Sequence, residues 1–172
     1  SFRLNTQDPA DYPELPEFPG HAAVTVSGAR LAELIRRTAF ACAQEQGRYA
    51  INGVALTAEK GQLELAATDG RRLAVARTPI EGGSTIGRCI VPPRMLGELR
   101  RIAQEVEAVS LAVAEGRLIA RAGWYMVAGS LIDGSYPAYA EMIPKRAKEV
   151  LGVKASLLAS CLRQAAHLVS QE

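Results

Sequence analysis

The feature that most constrains this chain is an internal repeat that occurs at two lengths. A shift of about 65 residues gives five matches, in which Val26, Leu31, Glu33, Leu34 and Arg36 fall on Val91, Leu96, Glu98, Leu99 and Arg101. A second shift, close to twice the first, gives seven identities in twenty aligned positions between 26–45 and 153–172. Self-similarity at a fixed period indicates one supersecondary unit used repeatedly. We therefore predict a module of this length that is used in pairs, with a new pair beginning where the chain stops.

Each module has the pattern of one strand, one amphipathic helix and three further strands. Apolar spacing predicts helices from Ser27 to about Gln44 and over 93–104. The predicted buried stripes are Leu31, Leu34, Ile35, Thr38 and Cys42, then Met95, Leu99, Ile102 and Val106. Alternation predicts strands at 22–26, 49–57, 62–68, 71–78, 87–91, 106–114, 117–122 and 124–132. We interpret Asp69-Gly70 and Asp133-Gly134, whose separation nearly equals the shorter shift, as equivalent turns in the two modules.

The charge of the chain bears on whether it binds nucleic acid. Its 172 residues carry a formal net charge of +2, which is too small to indicate such binding unless the positive charge is concentrated on one face. Several arginines lie opposite the apolar stripes: Arg30, Arg36, Arg37, Arg94 and Arg101. A repeated arginine-bearing face in a closed ring or open array predicts a positive lumen that holds DNA through phosphate contacts. For any single arginine, an ordinary solvated helix face is the alternative.

Residue combinations typical of catalysis or metal binding are missing from the sequence. The two histidines, His21 and His167, have no Cys, Asp or Glu at triad or ligand spacing, and no phosphate-binding glycine loop with a following Lys-Ser/Thr occurs. We therefore predict a non-catalytic protein without a metal or cofactor. Three widely spaced cysteines, the absence of a signal peptide and the absence of a long apolar run favour the cytoplasm. A hydrolase or transferase on an unrelated α+β domain remains an alternative.

Three motifs make the interpretation more specific. They are Arg48-Tyr49-Ala50-Ile51-Asn52-Gly53-Val54, Ala67-Thr68-Asp69-Gly70-Arg71-Arg72-Leu73-Ala74-Val75, and Asp133-Gly134-Ser135-Tyr136-Pro137-Ala138-Tyr139 followed by Ile143-Pro144. In order and spacing they resemble the bacterial β subunits of DNA polymerase III, the DNA sliding clamps. The resemblance implies an α+β DNA clamp fold, with two β-α-β-β-β half-domains and helices on one face of antiparallel sheets. It implies three segments: the end of a preceding clamp domain and linker at 1–20, the middle clamp domain at 21–144, and the first helix of a third domain at 145–172.

The resemblance also implies a function and partners. The whole protein is expected to be a homodimeric ring around duplex DNA, a processivity factor that docks DNA polymerase III, the clamp loader and repair proteins through short peptides. By the same analogy, this chain alone is expected to be largely monomeric and to bind DNA poorly. The family's peptide groove corresponds here to Ile51, Thr68, Gly70, Arg71, Arg72, Leu73, Pro137 and Met142. Arg48 and Tyr49 join the helix arginines as candidate DNA contacts. The alternative is a clamp-like interaction module that docks peptides without encircling DNA.

Overall fold

Two copies of the same secondary-structure sequence make up most of the computed structural model, which describes residues 8, 16–44, 50–81, 84–144 and 151–167. The first copy contains β1 (Val24–Ser27), α1 (Gly28–Thr38), β2 (Val54–Glu59), β3 (Gln62–Thr68) and β4 (Leu73–Pro79). The second contains β5 (Ile86–Val91), α2 (Pro93–Ala103), β6 (Ala108–Ala114), β7 (Arg117–Ala122) and β8 (Tyr125–Ser130). The predicted β-α-β-β-β repeat is therefore confirmed.

The two modules exchange their first strands. One antiparallel sheet has the order β1-β6-β7-β8 and the other has the order β4-β3-β2-β5. Strand β1 of the first module thus pairs with β6 of the second, through Val24–Leu111 and Val26–Val109. In return, β5 of the second module pairs with β2 of the first. Because each sheet contains strands of both modules, neither module can complete its sheet alone.

Backbone hydrogen bonds also join the two sheets at their ends, and they do so in equivalent ways. Thr25 in β1 forms an isolated bridge with Glu81, just after β4, in which the Glu81 N–H donates to the Thr25 carbonyl at 3.0 Å. At the other end, the Ile132 N–H, just after β8, donates to the Ile90 carbonyl of β5 at 2.8 Å. The eight strands therefore form a nearly continuous hydrogen-bonded circuit.

One hydrophobic core lies between the helices and the sheets. Leu31, Leu34, Ile35 and Thr38 of α1 are buried, as predicted, and so are Met95, Leu99 and Ile102 of α2. The prediction that α1 continues to about Gln44 is wrong, because the helix ends at Thr38 and is followed by a 3-10 turn at Ala39–Ala41. The Thr38 hydroxyl donates to the Leu34 carbonyl at 2.8 Å. Such back-bonding bends helices. Cys42 lies in extended backbone outside the helix.

The predicted equivalence of the two Asp-Gly turns is also wrong. The equivalent hairpin turns are Lys60-Gly61 and Glu115-Gly116. Fewer residues separate these two turns than separate the first residues of α1 and α2. The connection from α1 to β2 is therefore longer than the connection from α2 to β6. Asp69-Gly70 joins β3 to β4, as expected, whereas Asp133-Gly134 follows β8 and joins no pair of strands. The predicted strand at 49–57 begins at Val54.

The chain divides into two units, the first ending at Pro137 and the second beginning at Ala138. The second unit contains a short 3-10 turn at Tyr139–Met142 and a third helix, α3, at Ala155–Ala166. Helix α3 contains no buried residue. None of the helices in the part of the chain that the structure describes has the length and apolar character needed to cross a membrane.

Candidate functional site

Helices α1 and α2 pack side by side because a glycine allows them to approach closely. A Cβ atom added to Gly28, at the start of α1, would overlap the carbonyl oxygens of both Ala103 and Val106. The Gly28 N–H also donates to the Glu107 carbonyl at 2.9 Å. The solvent-exposed sides of the two helices consequently form one continuous surface, which we call the helix layer.

The helix layer concentrates positive charge. Helices α1 and α2 contain six arginines and two glutamates, a net charge of +4: Arg30, Arg36, Arg37, Arg94, Arg100 and Arg101 against Glu33 and Glu98. Since the chain as a whole carries +2, the remainder has a net charge of −2. A near-neutral protein therefore presents one strongly basic face, and such a face attracts phosphate without reading sequence.

Glutamates neutralise part of this surface. The Arg36 Nε and Nη2 atoms donate to the two carboxylate oxygens of Glu33 at 2.7 Å each, and Arg37 Nε donates to the same carboxylate at 2.6 Å. These hydrogen bonds, first from Arg36 and then from Arg37, lower the pKa of Glu33 to about 2. In the second module, Arg101 pairs with Glu98 at 3.2 Å and lies 3.8 Å from Glu105.

A depression of about 300 Å³ lies where the two helices meet. Arg36 contributes to its wall from α1, and Arg100 contributes from α2, with Glu33 and Gln104 beside them.

The sequence interpretation missed Arg100, because the repeat aligns it with the buried Ile35. Of the predicted DNA-facing residues, Arg30, Arg36, Arg37, Arg94 and Arg101 are all exposed on the helix layer. Arg48 and Tyr49 lie outside the described residues.

Five of the predicted groove residues belong to the loop between β3 and β4 or to its borders. The Thr68 hydroxyl donates to the Arg72 carbonyl at 2.7 Å and accepts from the Gly70 N–H at 3.0 Å. Asp69 accepts from the N–H groups of Arg71 and Arg72 at 2.9 and 3.0 Å, and these bonds hold its pKa below the ordinary value. Gly70 has a φ of +86°, which glycine adopts without strain. The loop is thus fixed by its own side chains.

Two long-range links bring further groove candidates to this loop. The buried Tyr136 hydroxyl accepts a hydrogen bond from the Thr68 N–H at 3.2 Å, which anchors the segment that ends in Pro137. The Ala50 N–H donates to the Ser135 carbonyl at 3.3 Å, which anchors the segment that contains Ile51. The predicted residues on both sides of these links therefore converge on one region of the first unit. Met142 lies in the second unit, where its side chain is exposed.

Arg72 is the most constrained cation of the groove region. Its Nε donates to the Asp69 carboxylate and its Nη2 donates to the Phe40 carbonyl, both at 3.0 Å. Its guanidinium also lies over the Phe40 ring, 5.5 Å from the ring centre. These three contacts hold an exposed guanidinium in one place with donors still available to a ligand. No sequence signal identified Phe40, because it falls within the predicted helix but outside its apolar stripe. In the structure its side chain is exposed.

The groups that could support other chemistry are isolated. No cluster of three or more His, Cys, Asp or Glu side chains that could hold a metal ion occurs among the described residues. Desolvation by burial raises the pKa of Cys42 and of Cys89 to about 11, so both thiols stay protonated at neutral pH. Neither thiol is activated as a nucleophile.

The family model for the central domain of the DNA polymerase III β subunit matches residues 25–138. The chain belongs to this family. It is 30% identical over 172 residues to the β sliding clamp of Salmonella typhimurium, a match that covers 99% of this chain and 47% of that relative. The chain therefore spans about half the length of the sliding clamps that it matches.

Solved structures of sliding clamps have the same fold. The crystal structure of the Bacillus subtilis clamp superimposes with a TM-score of 0.88 at 26% identity, covering 96% of this chain and 44% of that one. A Pseudomonas aeruginosa clamp bound to griselimycin superimposes with a TM-score of 0.72 at 32% identity, covering 81% and 38% of the two chains. The expected α+β DNA clamp fold is thereby confirmed.

Proposed function

We propose that this chain forms the middle part of a sliding clamp that encircles duplex DNA and keeps a DNA polymerase on its template. The observation that carries the proposal is the helix layer, where a net charge of +4 is concentrated in a chain of total charge +2. Arginines that contact phosphate oxygens give affinity that is independent of sequence, and such contacts permit sliding. Membership of the β subunit family supports the same function.

The DNA surface in this proposal is the helix layer, enlarged by a residue beyond those predicted. Arg30, Arg94 and Arg100 form no ion pair among the described residues, so their guanidinium groups are available to phosphate. Arg36, Arg37 and Arg101 join the surface but are partly neutralised by glutamate. Arg48 and Tyr49 remain candidates by resemblance. No base-specific contact is required, because the bound feature is the phosphate backbone.

The docking site in this proposal is the region around the β3–β4 loop. It combines Thr68, Gly70, Arg71, Arg72 and Leu73 with Ile51 and Pro137, and Met142 of the second unit remains a candidate by resemblance. Half-buried Leu73 and Pro137 offer apolar contacts beside the fixed guanidinium of Arg72. An apolar anchor next to a placed hydrogen-bond donor suits a short peptide of a polymerase or clamp-loader subunit. Griselimycin is bound to the Pseudomonas aeruginosa clamp, and we propose it as a probe of this site.

The proposed assembly is a ring of two longer chains in the cytoplasm. In it, residues 21–144 form the middle domain, 1–20 belong to the end of a preceding domain and its linker, and 145–172 begin a third domain. The proposed role is non-catalytic and needs no cofactor. By resemblance to the family, the contacts that close the ring belong to the other domains. The 172-residue chain alone should therefore sediment as a monomer and bind DNA weakly.

Processive synthesis on a primed single-stranded circle tests this function. The full-length clamp that carries this sequence is loaded by its clamp loader and supplied with its polymerase, and product length is measured for a single polymerase binding event. Long products that require the clamp are expected. A clamp that binds the polymerase but leaves product length unchanged would contradict the proposal and favour an interaction module that does not encircle DNA.

A further inference from the structure

The arginines of the helix layer fall into two equal groups. Arg30, Arg94 and Arg100 have no ion-pair partner within the described part of the chain. The other three, Arg36, Arg37 and Arg101, are each bound by a glutamate one helical turn earlier. Half of the cationic groups on this surface are therefore already paired with a carboxylate.

The glutamates responsible occupy the same position in both modules. Glu33 aligns with Glu98 in the repeat, and each is bound by the arginine one turn later, Arg36 or Arg101. The matching pairs persist although the neighbouring positions differ, since Arg37 aligns with the buried Ile102. The arrangement is thus a repeated feature of the helix layer and not an isolated surface pair.

The pair in α1 has the stronger geometry. Glu33 receives three hydrogen bonds of 2.6 to 2.7 Å, two from Arg36 and one from Arg37. Charge-assisted bonds to a planar guanidinium fix its orientation. Arg36 also lines the depression between the helices, together with Arg100. Two cations and the Glu33 carboxylate therefore share one concave surface.

We infer that Glu33 and Glu98 limit the affinity of the helix layer for duplex DNA. This inference rests on the proposed function. A phosphate that approaches Arg36, Arg37 or Arg101 meets a guanidinium with one or two donors already occupied and is repelled by the bound carboxylate, so these arginines contribute less to binding than the unpaired ones. The unpaired arginines then supply most of the phosphate contacts, and weak, salt-sensitive binding allows a ring to slide. The two glutamates therefore leave the surface with enough positive charge to bind DNA, but they keep its affinity too low to fix the DNA in one position.

The test compares single charge removals in the full-length clamp, measured by anisotropy of a fluorescent duplex of arbitrary sequence across a salt series. Glu33→Gln should raise affinity roughly eightfold at about 0.1 M salt for each additional phosphate that is bound, because each one makes the slope of log affinity against log salt more negative by about 0.9. Glu98→Gln should have a smaller effect, because Arg101 keeps its contact with Glu105. Glu115→Gln, in the exposed β6–β7 turn, removes the same charge elsewhere and should change nothing.

Two further variants separate the possible failures. In Glu33→Gln combined with Arg36→Gln and Arg37→Gln, the increase in affinity should disappear, whereas a purely structural effect of Glu33 would persist. Replacement of Arg30, Arg94 and Arg100 by alanine should weaken binding. If that replacement weakens binding but Glu33→Gln leaves affinity and slope unchanged, the inference is wrong and the proposed function stands. If the alanine replacement also has no effect, the helix layer is not the DNA surface and the proposed function fails.

Discussion

Tyr136 is hydrogen-bonded to Thr68 across 68 residues of sequence, with the Thr68 N–H donating to the phenol oxygen at 3.2 Å. The same hydroxyl donates to the Ala66 carbonyl, also at 3.2 Å. One buried side chain thus anchors the segment after β8 to the last residues of β3. Because Thr68 in turn bonds Gly70 and Arg72, this link fixes the position of the proposed docking loop.

Replacing Tyr136 with phenylalanine should destabilise the first unit. The change removes both hydrogen bonds and leaves buried backbone groups without that partner, which costs about 1–3 kcal/mol. Urea unfolding followed by circular dichroism measures the difference in the free energy of unfolding. Tyr125→Phe is the matched control, since it removes only an exposed bond to Glu105 and should cost less than about 0.5 kcal/mol. Equal effects of the two substitutions would show that the Tyr136 link carries no special stability.

Substitution of Gly28 by alanine should weaken the contact between the two helices. The new methyl group would overlap two carbonyl oxygens, so the helices must separate, at a cost of roughly 1–3 kcal/mol. Gly97→Ala, within α2, meets open space and should stabilise the protein by up to about 1 kcal/mol through helix propensity. Thermal unfolding of both variants gives the comparison. A Gly28→Ala variant as stable as the parent would contradict the close approach.

Replacing Leu73 with lysine should weaken ligand binding at the proposed groove without unfolding the protein. Leu73 is only half-buried at the start of β4, so its side chain can change without opening the core. A charged side chain there removes apolar contact with an inserted anchor. Isothermal titration of griselimycin into the full-length clamp should show at least about tenfold weaker binding, a loss of about 1.4 kcal/mol. Unchanged affinity would remove Leu73 from the site.

The thiols provide a prediction about pH. Burial raises the pKa of Cys42 and Cys89 to about 11, above the ordinary value of 9.0, so the unfolded chain loses these protons at lower pH than the folded chain. The stability contributed by the two protonated thiols is therefore complete below pH 9 and is lost as pH rises from 9 towards 11. Urea unfolding at several pH values tests this, with Cys42→Ala and Cys89→Ala as variants in which the loss should be smaller. The same loss in both variants would contradict it.

Reactivity towards thiol reagents gives an independent check of the same burial. Cys161 lies exposed on α3 and should react rapidly with a disulfide reagent in the native protein. Cys42 and Cys89, which are partly buried, should react more slowly than Cys161. Equally rapid modification of all three thiols in the native state would contradict the burial of Cys42 and Cys89.

The sequence predicted the helices and the repeat because both depend on local patterns. The spacing of Leu31, Leu34 and Ile35 is enough to identify the buried face of α1. Strand exchange left no such signal: alternation in β1 shows that Val24 and Val26 face inward, but not that β6 is their partner. The mistaken match of Asp69 with Asp133 has a similar origin, because a long α1–β2 connection shifts the register within the repeat.

The candidate groove has a different origin, because its residues were assigned by resemblance to a family. That resemblance is carried by contiguous motifs, so residues such as Thr68 to Leu73 could be assigned together. Arg100 could not, because its place at the junction of the helices depends on how α1 and α2 pack. Phe40 was missed because its contact with Arg72 joins positions 32 residues apart. Contacts that depend on tertiary packing have no periodic signature in the sequence.

Retention on circular and linear DNA tests most directly whether this chain belongs to a ring around the duplex. The full-length clamp is loaded onto nicked circular DNA, the DNA is linearised at one site, and the bound protein is measured before and after cutting. Retention on the intact circle with loss after cutting is the predicted result, because a ring held by topology slides off a free end. Equal retention on both forms would mean adhesive binding, and the proposal that this chain encircles DNA would be wrong.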